Sequence, residues 1–80
     1  MFTWEFMSPV HRAAFDDLPA EAKAALRAFM DAVVFDPWGR APAGSRNMPT
    51  IDFGDGMGMV TFLIDDEERK LLITQVLWFG

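Results

Sequence analysis

The last third of the chain constrains the fold most. Two nearly continuous apolar runs, Met57 to Ile64 and Leu71 to Phe79, are separated only by a polar turn, Asp65-Asp66-Glu67-Glu68-Arg69. Each run has the length of a strand, and the connection between them is too short for a crossover, so they predict neighbouring antiparallel strands. Apolar residues at almost every position fit central strands with helices on one face and partial cover on the other. The remainder of the chain has to supply that cover.

Two helices are available to do so. Phe2-Thr3-Trp4-Glu5-Phe6-Met7 alternates apolar and polar residues with period two and predicts a first strand. Ser8-Pro9 then offers a capping hydroxyl and a proline suited to a first helical turn, opening a helix from about Pro9 to Asp17. Val10, Ala14 and Leu18 would form its apolar row, with Arg12 and Asp16 on a wetter face. Leu18-Pro19 breaks that helix and starts another, roughly Pro19 to Phe35. Its stripe is Ala22, Leu26, Phe29 and Val33, widened by Ala25, Met30 and Val34, while Lys23, Arg27 and Asp31 make the solvated row. The short link makes the two helices an antiparallel hairpin.

From Asp36 to Pro49 the chain holds three prolines and two glycines in fourteen residues, which predicts a long loop without regular structure. Loops of that length in a small domain are uncommon unless they are functional or mobile, so this is the first place to look for a site. Thr50 to Phe53 follows as a short strand, and Gly54-Asp55-Gly56 turns the chain into the Met57 run. The predicted order is β-α-α-β-β-β. It describes an α+β fold with a helical hairpin packed on a mostly antiparallel four-stranded sheet. Its 80 residues fit one domain, spanning 1–80.

Composition narrows the chemistry. With no cysteine, disulfide scaffolds, thiolate metal sites and cysteine nucleophiles are excluded. His11 is the only histidine, with no second one to complete a metal set, and neither a metal nor a cofactor is expected. As a general base His11 would need an orienting carboxylate and a nucleophile; Ser8, nearby in sequence, is better explained as a cap. Asp65 to Glu68 lacks the spaced ligands and glycine of a calcium loop and reads as a solvated turn. The Gly54-Asp55-Gly56-Met57-Gly58 cluster leads into a strand rather than a helix, so it reads as a turn and not as a phosphate cradle.

Twelve acidic residues against seven basic ones give a formal net charge of −5, which repels phosphate backbones at long range. Contact with nucleic acid would need a local basic patch. Arg40 and Arg46 in the long loop, joined by Arg69 and Lys70 at the last turn, are the residues able to form one. Trp38, between Pro37 and Gly39 and close to Arg40, is the tryptophan placed to stack on a base. Met48, Met57 and Trp78 could instead form an exposed protein-binding patch, for a partner or for a homodimer. No apolar run is long enough to span a membrane, and a soluble cytoplasmic protein is the default expectation.

Several signatures together resemble the RelE/ParE superfamily of toxins from type II toxin–antitoxin pairs. They are the opening strand, Leu-Pro-Ala-Glu-Ala-Lys-Ala-Ala-Leu at 18–26, Asp-Pro-Trp-Gly at 36–39, Gly-Met-Val-Thr-Phe-Leu-Ile-Asp at 58–65 and Leu-Leu-Ile-Thr-Gln-Val-Leu-Trp at 71–78. The resemblance covers nearly the whole chain. It implies a cognate antitoxin that masks the sheet and helix surface, and one of two targets. RelE-like members cut mRNA in the ribosomal A site using basic side chains; ParE-like members act on DNA gyrase. For an RNA endonuclease, Arg46 and Arg40 would position phosphate and Trp38 would stack on a base. The family's third-strand arginine falls at about Gly58 and its following aromatic hydroxyl near Thr61; there is no tyrosine, and the chain closes with Trp78, Phe79 and Gly80. Most of the catalytic basic residues are therefore absent, which leaves a noncatalytic interaction module of the same fold, or a gyrase-directed toxin, as the alternative.

Overall fold

A computed structural model describes residues 1–80. The elements are β1 (Thr3–Phe6), α1 (Pro9–Asp16), α2 (Ala20–Val33), α3 (Pro37–Arg40), β2 (Thr50–Phe53), β3 (Gly58–Asp65) and β4 (Lys70–Trp78). The four strands form one sheet in the order β1-β4-β3-β2, with β1 parallel to β4 and the other two ladders antiparallel. The expected α+β arrangement is thus present, with one element added. No helix is long and apolar enough to cross a membrane.

The helical hairpin covers one face of the sheet. Phe15 of α1 and Leu26, Met30 and Val33 of α2 pack against Val60, Phe62, Ile64, Leu71 and Ile73, all of them fully or almost fully buried. On β3 burial alternates strictly, so Gly58, Val60, Phe62 and Ile64 face the helices and Met59, Thr61 and Leu63 face away. On β4 the alternation changes phase. Thr61 lies opposite Gln75 and Phe62 opposite Ile73, leaving Thr74 as the extra residue of a bulge. The Thr74 hydroxyl donates to the Thr61 carbonyl at 3.2 Å. Leu71 and Ile73 before the bulge and Val76 and Trp78 after it all turn towards the helices. That phase change is one reason the run reads as continuously apolar.

The core face of α1 differs from the expectation. Val10 is 77% exposed and Ala14 is exposed, whereas Phe15 is buried. A helix of eight residues can seat only about one turn on the sheet, and burying a phenyl ring removes far more apolar surface from water than burying a valine and an alanine. Phe15 therefore sets the rotation, with its ring 4.9 Å from that of Phe6. The supposedly solvated row of α2 also has partners. Lys23 Nζ donates to the Asp16 carbonyl at 3.3 Å, Arg27 lies over the Phe15 ring at 5.3 Å, and Asp31 accepts the Trp4 indole N–H at 2.9 Å.

Candidate functional site

Within 36–49 the structure adds one short helical turn, α3, to the expected loop, and residues 41–49 form no regular element, as expected. Asp36 caps a short helical turn, accepting the Gly39 N–H at 3.1 Å, and Pro37 occupies its first turn. Proline is tolerated here because the first amides of a helix lack partners in any case. At the other end, Ile64 N–H donates to the Asn47 carbonyl at 2.7 Å and Phe62 N–H to the Pro49 carbonyl at 3.2 Å. These bonds carry the β2–β3 ladder back beyond Thr50. Pro49 fits because a proline carbonyl can still accept while its nitrogen has no hydrogen to place.

That geometry fixes the loop candidates. Trp38 sits on α3, and its indole N–H donates to Asp66 at 3.0 Å, clasping α3 to the β3–β4 turn. The continued register brings Arg46 towards Asp65, so Trp38 and Arg46 both lie at that turn, while Arg40 ends α3. All three are exposed, and neither arginine forms a salt bridge. The surroundings of Trp38 are acidic, however: Asp65, Asp66 and Glu67 border the depression beside it. Phosphate approaching a base stacked on Trp38 would meet carboxylates at close range. The other two basic candidates are engaged. Arg69 lies over the Phe2 ring at 5.4 Å, and Lys70 pairs with Glu5 at 3.4 Å.

The three residues of the apolar patch do not come together. Met57 and Trp78 lie at the start of β3 and the end of β4, whereas Met48 lies level with Leu63 near the other end of β3. Met48 and Met57 are exposed, but Trp78 faces the helices and packs on Phe53, with ring centroids 5.8 Å apart. Its indole N–H is buried without a hydrogen-bond acceptor. Trp78 thus closes the edge of the core. It can do so because residue 58 is glycine: a Cβ there would lie 2.6 Å from Phe53 Cζ and 2.9 Å from Trp78 Cε3. Two aromatic rings occupy the space above the position where the resemblance puts an arginine.

His11 contacts Ser8, whose Oγ lies 2.7 Å from its Nδ1. Ser8 also accepts the His11 amide N–H as the cap of α1. Asp16 pairs with Arg12 and so does not orient the imidazole. No group of three or more His, Cys, Asp or Glu side chains is arranged to hold a metal ion.

Sequence reasoning missed an open groove of about 620 Å³ where β1 meets the helical hairpin. Trp4, Phe6 and Phe15 contribute its aromatic surface and Arg12 and Arg27 its positive charge. Helical spacing placed both arginines on wet faces. Only the packing of α2 beside α1 shows that Arg27 reaches Phe15, a contact between residues twelve apart across a helix break.

No protein-family model matches the chain, and no curated protein matches it. Solved structures do. The isolated E. coli RelE toxin superposes with a TM-score of 0.80 at 12% identity, covering 100% of this chain and 86% of that one. RelE in the intact E. coli RelBE toxin–antitoxin complex gives 0.79 at 12% identity over 98% of this chain and 96% of that chain. An E. coli RelE mutant in complex with an antitoxin RelB peptide gives 0.78 at 13% identity over 96% of this chain and 82% of that one. The chain has the fold of RelE.

Proposed function

We propose that this chain is the toxin-like component of a type II toxin–antitoxin pair, held by a cognate antitoxin. The observation that carries the reading is the likeness of the whole chain to RelE, both isolated and in its complex with RelB. If it acts on RNA, Arg40 and Arg46 position phosphate and Trp38 stacks on a base.

A second reading, a noncatalytic interaction module or a toxin directed at a protein such as DNA gyrase, is favoured by the electrostatics. Cleaving a phosphodiester requires cations in place before charge develops, and losing one such group commonly costs about two to three powers of ten in rate. The sheet face away from the helices carries Met59, Leu63, Leu72 and Leu77, and the cation beside them, Lys70, is paired with Glu5.

Tightly induced expression of the chain alone, with soluble folded protein confirmed in the same culture, separates these readings. Growth arrest supports a toxin, and mapping mRNA ends against gyrase inhibition then identifies its target. Normal growth with folded protein overturns the toxin reading and favours the interaction module.

A further inference from the structure

We infer that the hollow between α1 and the second half of β4 is a small-molecule site, which takes a neutral, single-ring compound carrying a carbonyl acceptor. The inference goes beyond the toxin reading and does not depend on it.

The hollow arises from where the elements end. β1 stops at Phe6, opposite Ile73, and the Met7 amide bonds to the Ile73 carbonyl at 3.0 Å. β4 runs on to Trp78, so beyond Thr74 its outer edge has no strand beside it. α1 covers part of this stretch and leaves about 160 Å³ against it. Ala14 and Phe15 of the helix and Ile73 and Val76 of the strand make the walls predominantly apolar. Phe15 also borders the groove beside β1 and so stands between the two spaces. Ala14, which helical spacing assigned to the core, brings only an exposed methyl to the hollow, and that small side chain leaves the room. A dry cavity of about 150 Å³ is enough for a benzene ring.

Two hydrogen-bond donors select the occupant. The Phe79 amide donates to the Met57 carbonyl at 2.8 Å, so by alternation Met59–Leu77 and Thr61–Gln75 are the other bonded pairs of that stretch of ladder. Val76 therefore turns its amide away from β3, to the open edge where it borders the hollow. His11 supplies the second donor. Ser8 Oγ lies 2.7 Å from its Nδ1 and already accepts its backbone amide. The hydroxyl hydrogen has no other acceptor, so it goes to Nδ1 and the proton of the neutral ring sits on Nε2. Ser8 holds the Nδ1 edge and does not border the hollow, which leaves the Nε2 edge to face it. An apolar space with a few placed donors is the usual form of a small-molecule site. No lysine, arginine or carboxylate borders it, in a chain of net charge −5, so a neutral acceptor is favoured over an anion.

The test titrates the full-length, isotope-labelled chain with acetophenone, toluene and benzoate, following backbone amides and the imidazole nitrogens by NMR. Acetophenone is expected to shift the Val76 amide and His11 Nε2, and to bind about tenfold more tightly than toluene, which has the ring without the acceptor. Benzoate should be weaker than acetophenone. His11→Phe keeps a ring at the position and removes the donor, and should cut the preference for acetophenone over toluene to about threefold. Ala14→Leu fills the hollow from the solvent side of α1 and should abolish binding of both, with the remaining amide spectrum unchanged. Absence of shifts at Val76 and His11, equal affinity for acetophenone and toluene, or an imidazole protonated on Nδ1 in the free chain would overturn the inference. So would binding that maps to the groove beside β1, or binding that survives in Ala14→Leu. The comparison of the three compounds on the unaltered chain decides the matter even where a variant fails to fold.

Discussion

Gly58 and Trp78 face one another across the β3–β4 ladder, and the indole lies so close over the glycine that a Cβ there would come within 2.9 Å of it. Phe53 presses on the same spot from β2 and is itself buried, so its ring cannot simply swing out of the way. Gly58→Ala is therefore predicted to destabilise the fold by about 1 to 3 kcal/mol through overpacking. Gly56→Ala provides the contrast, because a Cβ there meets nothing within 4 Å and the cost is that of a left-handed backbone alone, about 1 to 2 kcal/mol. Urea denaturation of both variants in a Trp4→Phe, Trp38→Phe background, which leaves Trp78 as the fluorescent probe, checks the mechanism: only Gly58→Ala should alter the indole's native emission.

The rotation of α1 can be tested in the same way. Phe15→Ala removes a ring packed against Phe6 and lying beneath Arg27, and is expected to cost about 3 to 5 kcal/mol. Val10→Ala, on the side that helical spacing alone assigns to the core, should stay within about 0.5 kcal/mol. Similar losses at both positions would contradict the packing described here.

Much of this architecture was legible in the sequence, and the failures have physical causes. The strand hairpin, the helix break at Leu18-Pro19 and the α2 stripe could be read because burial follows local periodicity there: Ala22, Leu26 and Val33 of the expected row are buried with the flanking Met30, and Phe29 is half-buried. The turn at Gly54-Asp55-Gly56 was legible too, and all three residues adopt positive φ. On α1 the rule failed because a short helix at a sheet edge is oriented by its largest side chain. Residues 37–40 misled because proline was counted as a breaker, although Pro37 starts a helix; residues 41–49 are irregular as read, and Pro49 needs only its carbonyl to extend the ladder. The Trp38–Asp66 clasp and the Arg27–Phe15 stack join residues far apart in sequence or separated by a break, and no periodicity encodes such pairs.

The clasp of α3 predicts how its two anchors should differ. Asp36→Ala removes the cap and is expected to cost about 1 kcal/mol. Asp66→Ala removes one solvent-exposed hydrogen bond to the Trp38 indole and should cost less, under about 1 kcal/mol. Both should increase hydrogen exchange at the Arg40 and Ala41 amides, which donate to Asp36 and Pro37 carbonyls, while leaving β3 and β4 protected. Unchanged exchange at those two amides in Asp66→Ala would show that the clasp does not hold the turn.

The loop arginines lead to the prediction that bears most directly on activity. Arg40 and Arg46 are exposed and free of salt bridges, so replacing both with alanine should leave stability within about 0.5 kcal/mol. Any growth arrest that depends on phosphate contact should then be lost, and Trp38→Ala should weaken it if the indole also stacks on a base. Removing charge from the β3–β4 turn with Asp65→Asn and Glu67→Gln should act in the opposite direction, because those carboxylates make the depression beside Trp38 repel phosphate. Arrest that persists in the double arginine variant, at equal levels of folded protein, would take both arginines out of the mechanism. A target reached through protein contact alone would then account for the toxicity, and substitutions at Leu63 and Leu77 on the face away from the helices would be the ones expected to relieve it.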